Sequence, residues 1–307
     1  MREPRPAPSG EQITIEAEGW RAVVVEVGGG LRSLRVNAEE LIWAYPQDGI
    51  RPASAGAPLL PWPNRLRDGR YRFAGQEHQL ALSEPARGNA IHGLTAWLRW
   101  EVRERDPSRV VMGLELPAQA GYPYQLDLEA EYELGPAGLT VRIRGLNLGP
   151  TDLPLGVGQH PYLRLGARVD DLELCVPAAA ILTTDGRGIP TGQTSVADTD
   201  LDFRAPRRIG GAVLDTAFWG LERDPQGRAV VQLGDGAGRR LSLWMDPSFK
   251  GVMIFSGDTL APAARRQSLA VEPMSCPPNA LADARDLTVL APGQGAEFVW
   301  GLEASGF

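Results

Sequence analysis

The eleven residues "YQLDLEAEYEL" (124–134) decide the fold. Tyr124, Leu126, Leu128, Ala130, Tyr132 and Leu134 fall on one side of an extended chain, and Gln125, Asp127, Glu129, Glu131 and Glu133 on the other. Strict period-two alternation over this length predicts a β-strand with one buried and one solvated face. "GPAG" (135–138) then turns the chain and "LTVRIRGL" (139–146) alternates again, which predicts an antiparallel hairpin.

The same grammar recurs on both sides of this hairpin. "ITIEAEG" (13–19) precedes "RAVVVEVGGGLRSLRV" (21–36), and "WLRWEVRE" (97–104) pairs with "RVVMGLELP" (109–117) across "RDPS". "RAVVQLGDGAGRRLSLWMD" (228–246) turns at Asp235–Gly236, and "LTVLAPGQGAEFVWGLE" (287–303) at Pro292–Gly293. No long stretch keeps a 3.6-residue period. The triple glycine 28–30 lacks the pattern of a phosphate loop and reads as a turn between strands. The expected architecture is all-β: one large antiparallel β-sandwich over residues 11–307, preceded by a frayed proline-rich tail at 1–10.

Composition narrows the function. The chain of 307 residues carries 38 acidic against 31 basic side chains, a formal charge of −7. An acidic chain with no basic run is a poor partner for nucleic acid. Lys250 is the sole lysine, so the arginine excess reads as compositional bias. No apolar run reaches the ~18 residues of a membrane span, and the N-terminus has no secretory pattern. Cys175 and Cys276 read as free thiols, as in a reducing cytoplasm. There is no CxxC or HExxH, and the three histidines lie far apart in sequence, so neither a metal nor a cofactor is expected.

Catalysis would then fall to side chains. His160 ends an apolar strand just before Pro161, and Glu272 ends "LAV" just before Pro273. His92 sits in the loop "GNAIHGL", while His78 reads as a surface residue on a polar strand. Asp215 stands among Val213, Leu214, Ala217, Phe218 and Trp219, where a carboxylate needs a partner or a task. In "PLLPWPNRLRDGRYRF" (58–73), Asp68–Gly69 predicts a hairpin that sets Arg67 opposite Arg70, with Arg65 and Arg72 further along. Arg65 offers a planar fork of donors, and Trp62 an aromatic face for the C–H side of a sugar.

Taken in order, "PWPNRLRDGRY", "NAIHGL", "GQHPYL", "LDTAFWG" and "VEPMSCPPNAL" resemble the motifs of the aldose 1-epimerase (galactose mutarotase) family. The resemblance implies the family's galactose mutarotase-like supersandwich, no metal or cofactor, and a free aldose as small-molecule partner. It assigns Glu272 as base, His160 as acid and His92 as an aid at the ring oxygen. Arg65 and Asp215 would bind hydroxyls, with Asn64, Gln159 and Trp62 also at the sugar. Leu94, Gln159 and the "EPMS…PN" form of the last motif depart from the common pattern and point to a divergent branch. The implied reaction is interconversion of α and β anomers by an isomerase, with base and acid on opposite sides of one pocket. Three other readings stay open: a mutarotase for a sulfonated or phosphorylated sugar read by the arginines of 65–72, a sugar-binding module without catalysis, and a two-carboxylate glycosidase using Asp215 and Glu272. The sequence leaves monomer and homodimer open, along with the sugar and whether Cys276 lies near the pocket.

Overall fold

The computed structural model describes residues 7–307. Leu126–Gly135 pairs antiparallel with Gly138–Asn147, and Leu126, Leu128, Ala130, Tyr132 and Leu134 are all buried. The charged face is not simply wet. Glu131 is only 4% exposed, and Arg109 and Arg142 of the flanking strands each donate to it at 2.7 Å.

This hairpin lies within a nine-stranded sheet. The order is Glu101–Arg105, Arg109–Leu116, Leu126–Gly135, Gly138–Asn147, Gly295–Ser305, Arg240–Met245, Ala229–Gly234, Glu173–Cys175 and Arg207–Arg208. An eight-stranded sheet packs against it. Its path is Pro190–Ser195, Ala178–Thr184, Asp215–Leu221, Gly251–Phe255, Leu269–Met274, Gly158–Gln159 and Pro58–Leu59, with Tyr162–Leu163 also on Leu269–Met274. The main core joins Ala130, Ile143 and Trp300 of the first sheet to Phe218, Ile254 and Val271 of the second. Two antiparallel sheets closed over one apolar layer are the predicted sandwich.

Some local expectations need correction. Asp68 and Gly69 do form a tight turn, with φ of 56° and 62°. The strands beside it diverge, however: Arg65–Arg67 pairs with Asn89–Ile91, and Arg70–Phe73 with Gln76–Gln79. Arg67 and Arg70 therefore do not face each other. The main chain of Arg65–Arg67 is already bonded to Asn89–Ile91, which leaves Arg70–Phe73 to fold back at Gly75. Pro292–Gly293 likewise turns the chain without making a hairpin, since Thr288–Leu290 pairs with Leu153–Leu155 instead. Of the expected tail, residues 1–6 lie outside the described residues. Residues 7–10 are seated, with Ser9 buried and its carbonyl accepting from Val27 N–H at 2.9 Å.

The triple glycine is a turn, as expected, and it has a second role. A Cβ on Gly28 would lie 2.4 Å from Arg51 Nη2, and one on Gly29 would lie 2.6 Å from the Trp100 ring. Bare backbone there lets both large side chains close over the turn.

Candidate active site

The strand Leu269–Met274 builds the site by its alternation. Leu269 and Val271 point into the core between the sheets. Glu272 points the other way, with Ala270 and Met274, onto the face where Met253 stands opposite it in register. Asp215 lies on this face too, opposite Phe255 at the start of the next strand. Loops close over these residues to leave a cavity of about 400 Å³. Its polar lining includes Asn64, Arg65, His92, His160, Asp215 and Glu272, so five separate motifs converge on one place.

Alternation also sorts His160 from its neighbour. His160 faces the cavity, and its Nε2 lies 3.3 Å from Glu272 Oε1. Gln159, one residue earlier on extended backbone, must point the opposite way. It is fully buried between the sheets, donating to Tyr132 Oη at 3.1 Å and accepting from Trp300 Nε1 at 3.0 Å. Gln159 is therefore a bridge between sheets and does not line the cavity, against the expectation that it contacts the sugar. Trp62 is corrected for a similar reason: it is buried in the main core and does not line the cavity. Tyr162 and Phe255 supply the aromatic wall instead. Tyr162 stacks on the His160 ring with centroids 4.8 Å apart and fixes its plane.

His92 is set by backbone geometry. It holds a left-handed φ of 62°, and Gly93 follows at 74°. A Cβ on Gly93 would fall 1.9 Å from the Leu60 carbonyl oxygen, so glycine is required there. The Asn64 N–H donates to His92 Nδ1 at 3.3 Å. A backbone donor at Nδ1 leaves the proton of the neutral ring on Nε2, as a donor. Leu94, the departure from the common glycine, donates its N–H to Leu60 and packs on the core.

The remaining wall is an ion quartet. Arg65 Nε lies 3.0 Å from Glu84 and its Nη2 3.7 Å from Asp215, while Arg87 lies 4.0 Å from Glu84 and 3.7 Å from Asp215. Glu84 and Arg87 sit at the ends of "EPAR", on the 3-10 turn Pro85–Arg87 and its cap, and sequence reading missed both. Arg67, Arg70 and Arg72 do not line the cavity; Arg67 pairs with Asp185 at 2.7 Å, while Arg70 and Arg72 bond Gln79 and Gly75 O. Asn279 ties the last motif to the first. Its N–H donates to Arg65 O at 2.6 Å, and its Oδ1 accepts from Arg67 N–H at 3.0 Å.

Burial shapes the charges. It drives His160 well below the ordinary imidazole range, helped by His92, and drives Glu272 well above the carboxylate range, helped by Asp215 and opposed by Arg65. His92 is lowered to about 3 by burial and Arg65. Both shifts in the central pair disfavour charge, and contact at 3.3 Å couples the titration of Glu272 to that of His160. Glu272 Oε2 and His160 Nδ1 have no partner among the described residues. The two groups stand side by side, not across the pocket as expected. His92, His160 and Glu272 also bring possible ligand atoms within 4.8 Å of one another, so distance in sequence did not exclude a set of metal-ligating types.

Two other features lie apart. Cys276 is buried outside the cavity, its thiol pushed up to about 12 chiefly by burial, and it is inert there. A depression of about 550 Å³ follows the hairpin Arg70–Gln79, where His78 is half-buried against Tyr71 and Tyr124. It is roomier, but its Glu77 and His78 are chain neighbours with no ion pair or hydrogen bond between them, whereas His160 and Glu272 meet at 3.3 Å, so chemistry and not size selects the site. No helix among the described residues is long and apolar enough to cross a membrane.

The profile of the family described as aldose 1-epimerase matches residues 11–300. The uncharacterized protein YihR of Escherichia coli is 35% identical over 295 residues, covering 93% of this chain and 91% of its own. A putative aldose 1-epimerase from Escherichia coli superposes with a TM-score of 0.85 at 20% identity, covering 97% of this chain and 99% of that one. A galactose 1-epimerase from Lactobacillus acidophilus gives 0.83 at 23%, covering 96% and 94%. The chain belongs to the aldose 1-epimerase family.

Proposed function

We propose that the protein is a mutarotase, an isomerase that interconverts the α and β anomers of a free aldose. The observation that carries this reading is the Nε2–Oε1 contact of 3.3 Å between two buried groups, His160 and Glu272, at the floor of a cavity of pyranose size. Mutarotation removes the proton of the anomeric hydroxyl while another proton reaches the ring oxygen. The ring bond at the anomeric carbon breaks, the aldehyde carbon rotates about its bond to the next carbon, and the ring closes on the other face.

Both reacting oxygens are attached to the same carbon. A side-by-side donor and acceptor can therefore serve them together, which accounts for the adjacent placement. With one proton between them, one member of the pair gives as the other takes, and reclosure reverses the roles. Glu272 remains the base of ring opening when its proton rests on His160; His92 Nε2–H supports the ring oxygen. Arg65, Asp215 and Asn64 bind the hydroxyls. No covalent intermediate or redox step is needed.

The quartet of Arg65, Arg87, Glu84 and Asp215 has no net charge, which favours a neutral aldose. The test is polarimetry, or anomeric exchange by NMR, on freshly dissolved single anomers of several aldoses. Equilibration faster than the spontaneous rate, saturable in sugar, is expected. No acceleration with any neutral or anionic aldose would overturn the enzyme reading and leave a sugar-binding module.

A further inference from the structure

We infer that Arg87 is the specificity-determining residue of this cavity, taking a pair of adjacent substrate oxygens away from the reacting carbon, with Glu84 positioning the arginines. The inference rests on the sugar-binding reading of the cavity and deepens it.

Depth separates recognition from chemistry. The Glu272 and His160 side chains are 3% and 6% exposed, whereas those of Arg87 and Asp215 are each 37% exposed. A pyranose with its anomeric carbon at the floor therefore presents its far edge to this rim.

The donors of the quartet are unequally used. Arg65 spends Nε and Nη2 on Glu84, at 3.0 and 3.2 Å, and Glu84 is held in turn by Asn89 Nδ2 at 2.9 Å. The Arg87 guanidinium makes no hydrogen bond among the described residues. Its contacts are ion pairs of 3.7 Å to Asp215 and 4.0 Å to Glu84, beyond hydrogen-bond reach. The Asp215 carboxylate accepts none either, standing 3.7 Å from both arginines. A guanidinium fork with free donors beside a carboxylate with free acceptors fits a vicinal diol: one hydroxyl accepts from Arg87 and donates to Asp215, and its neighbour fills the second arm. The same fork also fits two oxygens of an anionic substituent. The shared chemistry is an oxygen pair, and the substrate series below distinguishes its sources.

The test compares wild type, Arg87→Met and Arg87→Lys on a neutral hexose, its 3-deoxy and 4-deoxy analogues, and the matching hexuronic acid. KM and kcat come from anomeric exchange, and Kd from ligand-observed NMR. Loss of a charged donor is expected to raise KM and Kd for the preferred sugar about tenfold or more in Arg87→Met, with kcat changed less than about threefold. The discrimination wild type shows between parent and deoxy or acidic analogue should collapse, and lysine should restore part of it. A collapse confined to a deoxy analogue identifies a diol; one confined to the hexuronic acid identifies an oxyanion. If Arg87→Met keeps the wild-type ratios across the whole series, the inference is wrong. If no sugar is turned over but the Kd ratios still collapse, the mutarotase reading fails while the role of Arg87 stands.

Discussion

Glu131 and Glu272 are both glutamates on antiparallel strands, 4% and 2% exposed, yet their surroundings make them opposites. Burial pushes each up. At Glu131, hydrogen bonds from Arg109 and Arg142 outweigh that and hold it below the carboxylate range. At Glu272 only the charge of Arg65, without a hydrogen bond, opposes burial, Asp215 adds to it, and the carboxyl stays well above that range. The first is a structural anion in a ladder of cross-strand ion pairs; the second lacks such partners, as the proposed role of a base requires. Burial of a carboxylate thus says little about function until its neighbours are known.

The sharpest way to break this contrast is to neutralise each in turn. Glu272→Gln should lower the rate of anomer exchange by about 10²–10⁴-fold, as for loss of a positioned acid–base group, and His160→Asn should fall in the same range. Glu131→Gln should leave kcat and KM within about twofold. Stability should move the other way. Glu131→Gln leaves Arg109 and Arg142 poorly paired and should cost about 1–2 kcal/mol by denaturant titration. Glu272→Gln should stabilise by about 1 kcal/mol at neutral pH, since a carboxyl raised on folding costs stability once the pH exceeds its unfolded value of 4.5. That gain should grow as pH rises from there and vanish below it.

Smaller effects test the supporting wall. A Cβ on Gly188, at φ 77°, would lie 2.7 Å from Arg65 Nη1. Gly188→Ala should therefore displace Arg65 and raise KM several-fold, with a backbone cost of about 1 kcal/mol. Arg70→Met, outside the cavity, should change KM by less than about twofold, and a larger change would return that arginine to substrate recognition.

Much of this was legible in the residues. Alternation in 124–134 fixed a strand that forms where expected, because its period of two allows only one face to be apolar. The two hairpin errors share a cause: turn residues dictate where the chain bends, but not which strand its two arms then join. At the site, His160 and Glu272 were visible as ionisable residues set between an apolar run and a proline, although the strand of Glu272 does not stop there and runs on through Pro273 to Met274. Gln159 was misread although alternation already placed it opposite His160. The same rule would have found Tyr162, two residues past His160 and beside it in the cavity. Glu84 and Arg87 lie in a short 3-10 turn with no period to mark a face, and only the fold brings them to Asp215.

If Glu272 and His160 act as one proton-sharing pair, the pH dependence of kcat/KM in wild type carries its mark. Burial drives His160 well below 6.5 and Glu272 well above 4.5, so the acid limb should move down and the alkaline limb up, giving a bell broader than the interval 4.5–6.5. A narrow bell confined between 4.5 and 6.5, already falling at neutral pH, would mean a separate carboxylate and imidazolium with ordinary values and would contradict it.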